Sequence, residues 1–149
     1  MKPTFLLTVL ATVSLTATTF AADALDAVLV KTAPAGAVSV TAARKEAKAG
    51  EPIVVRGRVG GRTASLVDKA AIAVLADEKA VTACNDMPGD ACKTPWDYCC
   101  ETPEKLKAST ATIQVRGENG KVLRSTLRGL GGLKELSTVV VKGTVDAAS

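Results

Sequence analysis

The residues best suited to chemistry are four cysteines, Cys84, Cys92, Cys99 and Cys100, spaced C-x7-C-x6-C-C. In an oxidising compartment an even count of this kind is expected to form disulfides. Bonding between neighbours Cys99 and Cys100 would strain an eight-membered ring, so each is expected to reach back, one to Cys84 and one to Cys92. Which takes which stays open. Two such bridges would order an otherwise irregular loop, each by about 2–4 kcal/mol. The alternative is a thiolate metal site, in which Cys84, Cys92, Cys99 and Cys100 hold Zn or Cu(I). The paired Cys-x2-Cys knuckles common in zinc sites are absent, as is the Cys-x-x-Cys of thiol oxidoreductases.

The same segment is acidic, with Asp86, Asp90, Asp97 and Glu101 against Lys93. A calcium site from Asp86, Asp90 and Asp97 is conceivable, but solvated carboxylates that form turns and caps are the preferred reading. Trp96 and Tyr98 flank Asp97, and outside residues 1–22 they are the only aromatic side chains. Trp96 is expected to pack over the cysteines as a local core. The competing reading makes Trp96, Asp97 and Tyr98 a platform for a sugar, base or peptide. Arg56 and Arg58, with Arg62, Arg116 and Lys142, are candidates for a basic ligand face, or else for an ordinary solvated strand face.

Histidine is absent. This excludes Ser-His-Asp and Cys-His catalysis, histidine metal ligation and the usual neutral-pH base. No Ser-x-x-Lys motif stands in a convincing context, so the chain is read as a non-enzyme with no cofactor.

The chain opens Met1-Lys2, continues with an uncharged apolar run from Phe5 to Phe20, and reaches Ala21-Ala22 before the first acid, Asp23. A positive start, an apolar middle and a small-residue finish form a secretory signal over residues 1–22. The run is too short and too rich in Thr and Ala for a spanning helix, so no membrane span is expected after cleavage. Location is expected to be periplasmic or secreted.

These residues need a scaffold. Residues 23–38 are rich in Ala and Pro and read as a linker, leaving one domain over residues 39–149 with the cysteine loop at about 77–109. Ser39 to Ala49 is predicted as a short helix with Ser39 as N-cap and Gly50 at C′. Pro52–Val59 then alternates with period two, with Ile53, Val55, Gly57 and Val59 on one face and Gly57 marking a bend or bulge. Further strands are expected at Ala70–Ala76, Thr110–Arg116, Lys121–Leu127 after an Asn-Gly turn, and Thr138–Val145, with a helical turn near Leu130–Leu136. Five short strands suggest an all-β domain of small α content, an OB-like five-stranded barrel carrying the cysteine-stapled loop and preceded by the short helix.

The phrases Val-Val-Arg-Gly-Arg-Val and Val-Val-Lys-Gly-Thr-Val resemble the first and last strands of OB-folds. Pro95-Trp96-Asp97-Tyr98-Cys99-Cys100-Glu101, Ile72–Asp77 and Leu130-Gly131-Gly132-Leu133 resemble a family of small exported bacterial proteins of uncharacterised function. That resemblance implies an envelope or secreted location and no established reaction. Its second strand would carry aromatic residues where this chain has alanines. The expected role is therefore an exported binding or structural domain, stabilised by two disulfides, whose partner is an envelope protein or a small polar ligand. A thiolate metal protein and an OB-type oligosaccharide or nucleic-acid binder are the alternatives. Nucleic acid is disfavoured, because the strands offer no aromatic side chain for base stacking.

Overall fold

The computed structural model describes residues 25–147. The signal sequence expected over residues 1–22 therefore lies outside the described residues. Within them, no helix is long and apolar enough to cross a membrane.

The architecture is one five-stranded mixed sheet with short helices. Its elements are β1 (Val38–Ser39), α1 (Val40–Glu46), β2 (Pro52–Val59), β3 (Ile72–Ala76), α2 (Pro103–Ser109), β4 (Thr110–Gln114) and β5 (Thr138–Thr144). Single 3-10 turns lie at Cys84–Asp86 and Leu130–Gly132.

β2 is the axis of the sheet. β5 runs antiparallel along one whole edge, from Pro52↔Thr144 to Arg58↔Thr138. The other edge is shared: β1 pairs with Val55 and Arg56, and β3 pairs with Arg58 and Val59. Gly57 sits where the partner changes. A Cβ there would lie 2.9 Å from Val40 Cγ2 and 3.0 Å from Leu75 Cβ. Its role is thus close approach. The expected bulge is not present, because the β5 ladder passes through Gly57↔Val139 without an offset.

The alternation read from the sequence matches burial along β2, where Val55, Gly57 and Val59 are buried and Arg56 is exposed. Val55, Val59, Leu66, Ala71, Ala73 and Leu75 form the main core with Val40, Leu25 and Leu127. Ala111, Ile113 and Val115 from the β4 side, and Val139 and Val141 from β5, pack against it. A second, smaller cluster of Ala76, Val81, Ala83 and Tyr98, with Leu106 and Leu136 against it, lies beneath the cysteine loop.

Four further expectations are corrected. The sheet is not closed into a barrel, since β5 pairs with β2 alone and β4 with β3 alone. The strand expected at Lys121–Leu127 would have extended it, but this segment makes one bridge, Arg116↔Val122, and then turns away. The helix after Ser39 ends at Glu46, with Ala47 as an extended C-cap. Gly50 instead serves a left-handed turn at φ +83°, donating its N–H to Val145 O at 2.9 Å. Finally, the loop 77–109 contains a helix, α2. Its N-cap Thr102 accepts a hydrogen bond from Lys105 N, and Pro103 fills the first helical position, where a missing N–H costs nothing.

Candidate thiol site in the cysteine loop

The loop is fixed at both ends of its distinctive phrase. The Cys84 N–H donates to Asp97 O at 2.9 Å and the Asn85 N–H to Pro95 O at 2.8 Å, which clamps the first cysteine beside residues 95–97. Trp96 then anchors this pair to the segment just after β2: its carbonyl accepts from Gly61 N at 3.1 Å and its indole N–H donates to Thr63 O at 3.0 Å. Asp97 accepts from Thr63 Oγ1 at 3.0 Å and from Tyr98 N at 2.8 Å. Glu101 accepts from Thr82 N at 2.9 Å and from Lys105 Nζ at 2.7 Å, tying the phrase to α2. Each residue from Pro95 to Tyr98, and Glu101, thus has a positioning contact.

The clamp brings three sulfurs together. The Sγ atoms of Cys84, Cys92 and Cys99 all lie within 4.8 Å of one another, with Cys84 and Cys99 3.4 Å apart. Cys92 joins through a tight turn in which Asp90 accepts from the Cys92 N–H at 3.0 Å, and its sulfur lies 3.5 Å from Thr94 Oγ1. Cys100 is exposed and outside this trio. The two expected disulfides are not formed in this structure: all four cysteines are free. Local geometry explains why the pairing pattern differs. Cys92 faces Cys84 and Cys99 together, so the loop builds a triangle of thiols where sequence spacing suggested two separate pairs.

The three thiols are inequivalent. Cys84 is fully buried, and burial pushes its pKa up to about 12. The Thr94 hydroxyl beside Cys92 holds that thiol below its usual range. Cys99 is drawn down by Cys84, but Cys100 and burial together raise it on balance. The cluster therefore has one exposed corner, Cys99, one half-buried corner, Cys92, and one sealed corner, Cys84.

The other predicted site residues are placed differently. Tyr98, not Trp96, is the local core: it is 0 % exposed, whereas Trp96 is half-buried. Tyr98 therefore presents no ring face to solvent. Arg58 is paired with Asp86 and also donates to Leu136 O at 3.3 Å, while Arg56 is paired with Glu78 at 2.8 Å. The Arg58 guanidinium holds the Asp86 carboxyl below its ordinary range. Asp86, Asp90 and Asp97 do not converge on a calcium site; they serve an ion pair, a turn and a loop anchor in turn.

Sequence reading missed Gly60 as part of this site. A Cβ at Gly60 would lie 2.7 Å from Trp96 O and 2.9 Å from the Tyr98 ring, so the end of β2 is shaped to receive the loop. The Gly60-Gly61 pair was the available signal, but it reads equally well as a plain strand terminator. No protein-family model, curated protein or solved structure matches this chain.

Proposed function

We propose that this protein is an exported, non-enzymatic domain that binds a soft, thiophilic metal cation through Cys84, Cys92 and Cys99. The observation that carries the reading is the convergence of three sulfurs within 4.8 Å of one another. Thiolates are soft ligands that select Cu(I) and Zn over hard cations. A zinc site normally completes four ligands, and the cluster groups three. Cu(I) is therefore the favoured occupant. Export rests on the amino-terminal signal pattern, which precedes the described residues. A ligand face on the arginines has less support, because Arg56, Arg58 and Arg116 are each engaged by an acid.

A second reading has its own observation. The 3.4 Å separation of Cys84 and Cys99 makes them the pair best placed to form one structural disulfide. One experiment separates the two. The protein, reduced and held without oxygen, is titrated with Cu(I) against a chromophoric Cu(I) chelator, and its thiols are counted by alkylation before and after. The metal reading expects one Cu(I) per chain and a loss of affinity of tenfold or more in each of Cys84→Ser, Cys92→Ser and Cys99→Ser. Cys100→Ser should bind as the unmodified chain does. No competition with the chelator, together with a Cys84–Cys99 bridge in the protein as isolated, would replace it with the structural disulfide.

A further inference from the structure

The thiol triangle has an asymmetry that bears on how its ligand is kept or released. Cys99 is exposed, Cys84 is sealed, and their sulfurs lie 3.4 Å apart. A reagent in solution can reach Cys99 and cannot reach Cys84 without opening the loop. The backbone bond from Cys84 N to Asp97 O, two residues before Cys99, keeps the sealed sulfur against the exposed one. This is the arrangement of an attacking thiol with a resolving thiol behind it.

We infer that the site is redox-gated: a Cys84–Cys99 disulfide forms by thiol–disulfide exchange and ejects the cation. This rests on the metal reading above. The oxidant is a disulfide, of a protein or of a small molecule. The Cys99 sulfur attacks one sulfur of that disulfide, forming a mixed disulfide while the first thiolate leaves. The Cys84 sulfur then attacks the Cys99 sulfur, and the second thiolate leaves. Two electrons pass from the cysteine sulfurs to the oxidant, which departs as two thiols after taking up two protons. The cation keeps its oxidation state. It loses two of its three ligands and dissociates, because Cys92 alone does not make a site. Cys100 does not replace Cys84 as the resolving thiol, since adjacent cysteines close a strained ring. Reduction of the bridge restores the triangle.

The test uses glutathione disulfide as oxidant and Cd(II) as an air-stable soft cation whose thiolate charge-transfer absorption reports Cd–S bonds. Reduced, metal-free protein is oxidised, its remaining thiols are alkylated, and its bridges are mapped by peptide mass spectrometry. The expected product has Cys84 joined to Cys99, with Cys92 and Cys100 alkylated. The same product should form in Cys100→Ser. In Cd(II)-loaded protein, oxidation should abolish the charge-transfer band and weaken Cd(II) affinity at least 100-fold, reversibly on reduction. A dominant bridge involving Cys92 or Cys100 overturns the gating. So does a Cys84–Cys99 bridge formed with the Cd(II) band intact. Absence of the band in the reduced protein overturns the metal reading itself, and the release with it, whatever the bridge map shows.

Discussion

A single missing side chain decides whether the cysteine loop can dock. Gly60 faces the Trp96 carbonyl and the Tyr98 ring so closely that an added methyl group would sit 2.7 and 2.9 Å from them. The carbonyl is backbone and cannot swing aside as a flexible side chain would. Gly60→Ala is therefore expected to destabilise the protein by about 1–3 kcal/mol, the usual cost of overpacking, and to weaken the proposed metal binding by shifting the loop that carries Cys99. Gly143→Ala is the control, since nothing lies within 4 Å of its added Cβ. Urea midpoints of the two variants check this; an unchanged midpoint for Gly60→Ala would mean that the loop is not seated on the sheet end. At this scale the sequence was legible in kind but not in role. The pair Trp96 and Tyr98 was recognisable as the aromatic content of the loop. Which of the two fills the core depends on the direction in which the clamped backbone points each ring, and a spacing of two does not encode that. The convergence of Cys92 on both Cys84 and Cys99 was hidden for a similar reason. It needs the backbone bonds from Cys84 to Asp97 and from Asn85 to Pro95, which close the intervening loop, together with the Asp90 turn that carries Cys92.

Among the elements, α1 depends on a residue outside itself. Ser39 caps it locally, accepting from Ala42 N at 3.3 Å, and Asp77, just past the end of β3, accepts from Thr41 N at 3.0 Å and from Lys79 N at 3.1 Å. Asp77 is buried. Burial by itself would raise its pKa, but hydrogen bonds from Ser39, Thr41 and Lys79 outweigh it and the net shift is downward from 3.8. A carboxyl lowered in the folded state stabilises the fold above its unfolded pKa of 3.8, and loses that contribution as pH falls through the lower folded-state value. Asp77→Ala should thus cost about 1–3 kcal/mol near neutral pH, because it strands a part-buried helix N–H. Its deficit should shrink in acid well below 3.8. Denaturant midpoints of both proteins at neutral and strongly acidic pH measure the two gaps; equal gaps would remove Asp77 as a titrating cap. The strands were the most legible elements. β2, β4 and β5 announce themselves by alternating apolar residues, because one face of each meets the core. α2 was overlooked, although Thr102-Pro103-Glu104 is a helix start in ordinary terms, because seven residues are too few to show a helical period. The strand expected at Lys121–Leu127 failed for the opposite reason. It begins as a strand, with the Arg116↔Val122 bridge and Leu123 bonded to Val115 and Ala71, but bends at Arg124-Ser125 and makes no further bridge.

The whole molecule divides its packing between two clusters, and this division tells how the site and the fold are coupled. The main core lies between β2, β3, β4 and β5, while the smaller one joins Ala76 of β3 to Val81, Ala83 and Tyr98 of the loop. Ala76 and Leu75 are adjacent on β3 yet serve different clusters, so the same short strand supports both. Tyr98 is the largest side chain of the second cluster and is fully buried. Removing it takes away most of the apolar volume that holds the loop down. Tyr98→Ala is expected to lower stability by about 3–5 kcal/mol, as other buried aromatic truncations do, and Trp96→Ala by less, since the indole is only half-buried. The site offers an independent readout. In the reduced, metal-free protein, Cys84 should be the last cysteine to be alkylated, because it is sealed and its pKa is pushed up to about 12. Tyr98→Ala should bring its alkylation rate towards that of Cys99, even under conditions where far-ultraviolet circular dichroism shows the sheet intact. If Cys84 stays protected until the sheet unfolds, the two clusters form one cooperative unit, and loop opening would require global unfolding. If it is released first, the cysteine loop opens as its own unit on a persistent sheet, which gives a cation or a thiol reagent a route to the sealed sulfur without loss of the fold.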